Sequence, residues 1–320
     1  MTPTIKRFGF QAMGVPCEIQ VYDESRIDAR NNIRQLAGEV TRLEQKYSRF
    51  RRDSLLTEIN FSAGDKLGIK IDKETRSLLS HALTCFEQSE GLFDITAGVL
   101  YRLWDFRQAQ VPEQKQIDKA LERVGFHKVS VKGLRLHMPK GMELDLGGIV
   151  KEYAADSVAQ MARRMGINSG LINLGGDFTV IGPQPGGQPW TVGIANPKQR
   201  DAMMAKIDLH DGGLASSGDY ERFFEFDGKR YSHLLNPKTG WPSSGLRAVS
   251  VAGNLCTVAG SMATIAMLMD EEAALAYLDE SGLPYITMGS DEVIAGPGLK
   301  AESESEAEAA PAAMADVEAV

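Results

Sequence analysis

The order of helical and extended segments restricts the fold of this chain more than any other sequence feature. Apolar residues recur every three or four positions in six segments, which predicts amphipathic helices at 26–47, 74–90, 114–124, 151–165, 259–269 and 271–280. Strands are predicted between them at 16–22, 129–131, 134–138, 142–144, 170–174, 178–181, 190–194, 205–209, 223–226, 247–251, 285–288 and 292–295. Because the strands come in groups and do not alternate steadily with helices, the pattern predicts an α+β fold with largely antiparallel sheets.

The negative charge of the chain is concentrated at one end. The formal net charge is −8, but residues 301–320 contain six acids and neither Lys nor Arg, so the rest of the chain carries only −2. We interpret 1–300 as one folded domain and 301–320 as an Ala- and Glu-rich disordered tail, because the tail lacks the apolar residues that a core needs. The nearly neutral domain argues against nucleic acid as a partner, because such binding needs a basic face.

Hydropathy and cysteine content favour a cytoplasmic protein. No segment approaches the roughly 18 apolar residues of a membrane span, and Lys6 and Arg7 are not followed by the apolar segment of a signal peptide. The three cysteines, Cys17, Cys85 and Cys256, are odd in number and far apart. They predict reduced, buried thiols, in place of a disulfide framework or a zinc site.

Two glycine pairs follow apolar strands in a sequence that lacks the common catalytic signatures. There is no GxGxxG, GxxxxGK[ST], GxSxG, CxxC or HExxH motif. In segment 143–156 a strand is followed by Gly147-Gly148, and Lys151 opens a helix; in segment 171–177 a strand runs into Gly175-Gly176. Each segment fits either a tight structural turn or a backbone that approaches an anionic ligand closely.

Two further segments carry polar groups in unusual surroundings. His233, within 231–242, is the only histidine framed by turn-forming residues and hydroxyls, and loops commonly display catalytic groups. In segment 256–267, Gly260 and Thr264 share one face of a predicted helix. A hydrogen-bonded loop histidine and a closely packed helix would explain each segment separately. Together, the four segments predict a ligand that lies across several glycine-rich turns.

These segments, in this order, resemble the ApbE family of FAD:protein FMN transferases. The similarity extends from Met13 to about Pro297 and therefore covers nearly all of the predicted domain. The motifs that carry it are Ser48-Arg49-Phe50, Gly91 to Gly98, Leu103 to Phe106, Asp145 to Asp156, Asn173 to Asp177, Ser217 to Tyr220, and the His-x-x-x-Pro-x-Thr-Gly motif from His233 to Gly240. The resemblance implies an ApbE-like (T-fold-like) fold of two layers, with FAD in a cleft between sheets and glycine-rich turns.

The resemblance also implies an activity and a set of site residues. Members of the family cleave the pyrophosphate of FAD with the help of Mg²⁺, attach FMN through a phosphoester to a Thr or Ser hydroxyl of an acceptor protein, and release AMP. His233 would be the general base, and the metal ligands would be the backbone carbonyl of Gly148 and the side chain of Thr264. The positions expected to contact FAD are Met13, Phe50, Leu92, Phe93, Asp94, Asp145, Lys151 and Leu235.

The chain departs from the family pattern around the expected metal site. The late helix of the family commonly carries an Asp four residues before its Thr, whereas this chain has Gly260 before Thr264, with Ala263 in between. It also has Lys151-Glu152 where the family often has Lys-Gly, and Asn236 where Asp is usual. The metal site is therefore expected to be weakened, lost, or rebuilt from another carboxylate. The carboxylates considered for this role are Asp177, Asp219 and Asp270.

The sequence is compatible with three functions. The first is a cytoplasmic transferase that uses FAD and Mg²⁺, with a redox subunit or a flavin reductase as the acceptor that the family implies. The second is a protein that binds FAD without transferring it, because Gly260 has emptied a ligand position. The third is an FAD pyrophosphatase that releases FMN and AMP, with water in place of the acceptor hydroxyl.

The acidic tail is expected to be dispensable. Truncation after Lys300 should leave the melting temperature and the affinity for FAD essentially unchanged, because a tail without an apolar face has no means of docking onto the domain. Thermal denaturation and FAD titration of the full and truncated chains check this. A clear drop in either quantity would show that the tail packs on the domain.

Overall fold

The computed structural model describes residues 4–23, 26–106, 108–198, 202–220, 222–289 and 292–297. Within these ranges the chain forms seven α-helices: α1 (Arg26–Tyr47), α2 (Leu55–Phe61), α3 (Lys73–Gln88), α4 (Gln114–Leu121), α5 (Val150–Arg164), α6 (Cys256–Leu268) and α7 (Glu271–Ser281). None of these helices is long and apolar enough to cross a membrane. The tail predicted at 301–320 lies outside the described residues, so that interpretation stays a prediction.

Fifteen strands occur in the same described ranges. They are β1 (Thr4–Ala12), β2 (Val15–Asp23), β3 (Ile69–Lys70), β4 (Ser130–Lys132), β5 (Arg135–His137), β6 (Gly170–Leu174), β7 (Asp177–Gly182), β8 (Trp190–Ala195), β9 (Met203–Leu209), β10 (Gly213–Gly218), β11 (Phe223–Phe226), β12 (Lys229–Ser232), β13 (Ala248–Gly253), β14 (Tyr285–Met288) and β15 (Val293–Ala295). The helix and strand grouping confirms the α+β prediction.

One large sheet organises the molecule. Its eight strands have the order β1-β2-β6-β7-β10-β13-β14-β15, and all neighbours in it are antiparallel. In β6, Ile172 pairs with Ile19 of β2 and packs in the core cluster that contains the helices, whereas the adjacent Leu171 packs in a second cluster. Successive side chains of a strand point to opposite faces, so this sheet has an apolar core on each side.

The two faces of the sheet are covered differently. The first core contains apolar residues of α1, α5 and α6, so these helices lie on one face of the sheet. The hairpin β8–β9 contributes Trp190, Val192 and Ile207 to the core on the other face. The predicted layers of helix and sheet are therefore present, and the hairpin adds a partial layer behind them. A third cluster around Trp104 joins α4 to the hairpin β11–β12.

The strand predicted at 142–144 is wrong. Glu143 forms a single parallel bridge with Ala97 and no ladder. The reason is a side chain: Asn60 of α2 accepts a hydrogen bond from the Leu144 amide at 2.8 Å and donates one to the Leu144 carbonyl at 3.0 Å. One asparagine thus satisfies the backbone groups that a neighbouring strand would otherwise bind.

The start of α6 depends on an acid from α5. Asp156 Oδ1 accepts from the Cys256 amide at 3.0 Å, and Oδ2 accepts from the Thr257 amide at 2.9 Å and the Thr257 hydroxyl at 2.6 Å. These amides have no partner within the helix because they belong to its first turn. The distant carboxylate therefore caps α6 and lets it begin three residues before the predicted position at 259.

Removing this cap should destabilise the protein. Asp156→Ala is expected to lower the free energy of unfolding by about 2 kcal/mol, because it leaves buried amide groups at the α6 N-terminus without an acceptor. Asp156→Asn retains an acceptor oxygen and should lose less, and Asp118→Ala on the exposed side of α4 is the control. Urea denaturation measures all three. An Asp156→Ala protein as stable as wild type would contradict the role of this residue as a cap.

Candidate active site

Two glycine turns and strand β10 meet at an ion pair. Asp177 opens β7 directly after Gly175 and Gly176, whose φ angles of +66° and +94° favour glycine. Its Oδ1 accepts from the Ser216 amide of β10 at 3.1 Å, and its Oδ2 lies 2.7 Å from Lys151 Nζ in the first turn of α5. Asp177 is only 1% exposed. The two segments that the sequence analysis singled out separately therefore share one buried charge pair.

Glu152 adds a second buried acid beside this pair. The residue is 7% exposed, and its Oε2 accepts no hydrogen bond from the residues that the structure describes. Burial, followed by the negative charge of Asp177, raises the pKa of Glu152. In the sequence, Glu152 stands out only as a departure from the family pattern, and no motif assigns it to the site.

Gly260 is the residue of α6 that packs against Glu152. A Cβ atom placed on Gly260 would lie only 2.5 Å from Glu152 Cγ, so the glycine provides the space that the glutamate side chain fills. One helical turn further along, Thr264 Oγ1 lies 3.1 Å from Ser217 Oγ of β10. Thr264, which the sequence predicted as a ligand, is thus paired with a hydroxyl of β10.

His233 follows β12 and is held by the backbone of Arg222. The His233 amide donates to the Arg222 carbonyl at 2.9 Å, and the His233 Nδ1 lies 3.2 Å from the same oxygen. A carbonyl only accepts hydrogen bonds, so Nδ1 carries the proton and Nε2 keeps its lone pair. Burial lowers the pKa of His233 to about 4, and the positive charges of Arg222 and Lys151 act in the same direction. The imidazole is therefore neutral at physiological pH.

The β1–β2 hairpin brings Met13 to this region. Met13 and Gly14 form its two-residue turn, with φ angles of +54° and +75°, as a type I′ turn requires. The Met13 amide donates to Glu44 Oε1 at 2.8 Å, which fixes the turn against α1. Arg222 Nη2 would lie 3.8 Å from a Cβ atom on Gly14. Arg222 therefore connects the turn that carries Met13 with the loop that carries His233.

A second group of charges surrounds Arg49. Its Nη1 donates to Asp145 Oδ2 at 2.5 Å and its Nη2 to Glu143 Oε1 at 3.0 Å, while Asp145 Oδ1 accepts from the Gly147 amide at 2.9 Å. The Arg49 guanidinium lies 5.8 Å from the ring centroid of Phe50. Phe50 is 85% exposed, so its ring is available as a stacking surface beside the charged group.

Leu92, Phe93 and Asp94 form the wall next to the first glycine pair. The buried Phe93 ring would lie 3.6 Å from a Cβ atom on Gly148, and Leu92 packs half-buried against the core. Asp94 accepts from the amide and hydroxyl of Thr96 and from the Phe126 amide, and burial raises its pKa. Its carboxylate thus organises the loop that supports this wall.

Leu235 lies deeper than the other predicted residues. It is 3% exposed and packs in the cluster of Trp104, Phe224 and Tyr231. The structure therefore gives this residue a position behind the loop of His233, where its side chain supports the loop.

All three carboxylates considered for a rebuilt metal site have partners in the protein, and for Asp177 these are Lys151 and the Ser216 amide. Asp219 lies between Arg230 and Arg247, at 3.7 and 3.6 Å. Asp270 caps α7 by accepting from the Ala273 amide at 2.9 Å. Asp177 is the one that lies beside Glu152. No cluster of three or more His, Cys, Asp or Glu suited to a metal occurs within the part of the chain that the structure describes.

The chain is similar over most of its length to known flavin transferases. The model of the ApbE family matches residues 13–287. An FAD:protein FMN transferase of Treponema pallidum is 31% identical over 291 residues, which are 84% of this chain and 80% of that protein. A crystal structure of the ApbE protein of Thermotoga maritima superimposes with a TM-score of 0.86 at 30% sequence identity. The match covers 92% of this chain and 97% of the Thermotoga chain. The apo form of the Pseudomonas stutzeri flavinyl transferase ApbE superimposes with a TM-score of 0.81 at 25% sequence identity. That match covers 92% of this chain and 95% of the Pseudomonas chain.

The environment of His233 predicts an imidazole that stays neutral in mild acid. Its ring signals in NMR spectra should barely shift between about pH 5.5 and 8, because burial lowers the pKa to about 4. His233→Gln identifies the signals by removing them. A midpoint near the ordinary value of about 6.5 would contradict the buried, Nδ1-protonated arrangement.

Proposed function

Since the chain belongs to the ApbE family, we propose that it transfers FMN from FAD to a Thr or Ser hydroxyl of an acceptor protein. The observation that carries this proposal is the neutral His233, whose Nε2 lone pair is available and whose ring is close enough to Lys151 to feel its charge. A general base and a cation that binds pyrophosphate are the two groups that phosphoryl transfer to a hydroxyl requires.

The bonds made and broken balance around these two groups. The acceptor oxygen attacks the phosphorus on the FMN side of the pyrophosphate, and the bond from that phosphorus to the AMP phosphate breaks. The proton of the hydroxyl moves to Nε2 of His233, while Nδ1–H remains bonded to the Arg222 carbonyl and holds the ring in place. Lys151, anchored by Asp177, offsets the negative charge of the pyrophosphate.

The remaining predicted residues supply the FAD site in this proposal. Phe50 offers an exposed ring for stacking, and Asp145, oriented by Arg49, offers a carboxylate to hydroxyl or amino donors. Met13 lies in the hairpin turn near Arg222. The other predicted contacts form or support apolar walls: Leu92, Phe93, Asp94 and Leu235.

The oxygen groups near Lys151 fit a magnesium ion. The Ser217 and Thr264 hydroxyls lie 3.1 Å apart, and the buried Glu152 Oε2 accepts no hydrogen bond from the described residues, so this region offers the oxygen ligands that Mg²⁺ prefers. We propose the Gly148 carbonyl and the Thr264 hydroxyl as ligands. The ion would supply positive charge to the pyrophosphate and to the phosphate that leaves.

The acceptor in this proposal is a cytoplasmic protein with a Thr or Ser flavinylation site, such as a redox subunit or a flavin reductase. The three cysteines of the chain are free and buried, which supports a reducing compartment. Incubation of the chain with FAD, Mg²⁺ and a purified redox subunit tests the activity. Flavinylated acceptor supports the proposal, whereas free FMN with AMP, or unchanged bound FAD, would contradict it and favour hydrolysis or simple binding.

Loss of the His233 imidazole should stop transfer without releasing FAD. His233→Ala is expected to lower the transfer rate by about 10²–10⁴-fold, because the acceptor hydroxyl loses its proton acceptor, while the affinity for FAD stays within a few fold. His210→Ala, which removes an exposed histidine at the end of β9, is the control. Acceptor flavinylation and FAD titration measure the two effects. Near-normal turnover of His233→Ala would refute the role of this residue as base.

A further inference from the structure

Two acids on α5 face α6, and they differ in their partners: Asp156 binds the start of α6, whereas Glu152 lies beside the acid Asp177. Glu152 and Asp156 are one helical turn apart. Asp156 accepts from the Cys256 amide and from the amide and hydroxyl of Thr257, and the Thr179 hydroxyl lies 3.2 Å from its Oδ1. Glu152 is more than nine-tenths buried, and its Oε2 accepts no hydrogen bond from the described residues. A buried carboxylate oxygen in that condition is costly unless a cation or a proton meets it.

The side chain of Glu152 fits between the helices because residue 260 of α6 is a glycine. A Cβ atom on Gly260 would lie 2.5 Å from Glu152 Cγ and 3.1 Å from Glu152 Cδ, so no other residue fits at 260 without moving the glutamate. Glycine in the middle of a helix costs about 1 kcal/mol relative to alanine. In this protein, the destabilising glycine lies where its missing side chain leaves space for the Glu152 carboxyl group between α5 and α6.

The neighbours of Glu152 carry further oxygen ligands. Ala215 and Ser217 point to the same face of β10, because residues two apart in a strand share a face. Ala215 would lie 3.3 Å from a Cβ atom on Gly260, and Ser217 Oγ lies 3.1 Å from Thr264 Oγ1, one helical turn beyond Gly260. The side chain of Glu152 therefore enters on the faces of α6 and β10 that also carry this pair of hydroxyls, one helical turn further along α6.

The charges of the region place two acids, Asp177 and Glu152, beside one lysine. Lys151 pairs with Asp177 at 2.7 Å, and the two carboxyl groups of Glu152 and Asp177 lie within interaction distance of each other. We propose that Glu152 is the carboxylate ligand of the divalent-cation site, together with Thr264, and that it supplies the anionic oxygen which Gly260 does not. This inference rests on the proposed function for the role of the cation, but its test does not require transfer.

Binding of Mn²⁺ to the full chain, followed by electron paramagnetic resonance with and without FAD, tests the proposal. Glu152→Gln keeps the size of the side chain and removes its charge, so it should weaken Mn²⁺ binding by about tenfold or more. Asp118→Asn is the control, because it changes an exposed acid of α4 and should leave Mn²⁺ binding unchanged. Melting curves in EDTA should show Glu152→Gln at least as stable as wild type, because a buried charge without a partner is removed.

An exchange of the two residues sharpens the test. Gly260→Asp alone should weaken Mn²⁺ binding, because its Cβ would collide with Glu152 Cγ. The double variant Glu152→Gly with Gly260→Asp should recover binding to within a few fold of wild type, since a carboxylate on residue 260 would occupy the space that Glu152 vacates. Recovery in the double variant supports the shared position of the two carboxylates.

Two results would overturn the proposal. One is a Glu152→Gln protein that binds Mn²⁺ as tightly as wild type in both conditions, which would mean that Glu152 is a protonated partner of Asp177. The other is wild type that binds no Mn²⁺ in either condition. Failure of the proposed function would look different, because the wild-type chain would then flavinylate no acceptor while Mn²⁺ binding still depended on Glu152.

Discussion

The packing of α5 against α6 determines the geometry of the site. Helix α5 carries Lys151 in its first turn, directly after the Gly147-Gly148 turn, and α6 carries Thr264. The carboxylate of Asp156 binds the first amides of α6 and so fixes the two helices relative to each other. Both helices contribute to the core on one face of the large sheet, whose strands β7 and β10 present Asp177 and Ser217. A shift of one helix along the other would therefore separate groups from four elements.

The electrostatic arrangement divides the site into two parts with different properties. Around Lys151, the charged groups are buried, and the acids Asp177 and Glu152 lie beside the one lysine, which suits the proposed binding of a pyrophosphate and a cation. Around Arg49, two carboxylates accept from one guanidinium, and the neighbouring Phe50 ring faces solvent. Fixed charge pairs orient side chains more than they stabilise the fold, so both parts supply position rather than stability.

Local patterns predicted much of the fold, and the errors have identifiable causes. The six predicted helices follow from apolar periodicity, and α2 is missed because seven residues are too few to show it. The strand β10 (Gly213–Gly218) is missed because its small residues show no alternation. For the proposed site, the motifs singled out His233 and Lys151. The Arg222 carbonyl that orients His233 was not predicted, because a backbone contact across eleven residues of loop and hairpin leaves no pattern in side-chain types.

The two departures from the family pattern at residues 152 and 260 are physically linked. In the sequence, Glu152 and Gly260 are independent observations, since each belongs to a different helix and they are far apart in the chain. In the fold, the glutamate fills the volume that the glycine leaves, so a larger residue at 260 requires a smaller one at 152. Close packing forbids either change alone, because one creates a collision and the other a void. In this chain, the acid at this point of the interface between the two helices therefore belongs to α5, and α6 carries the glycine that makes space for it.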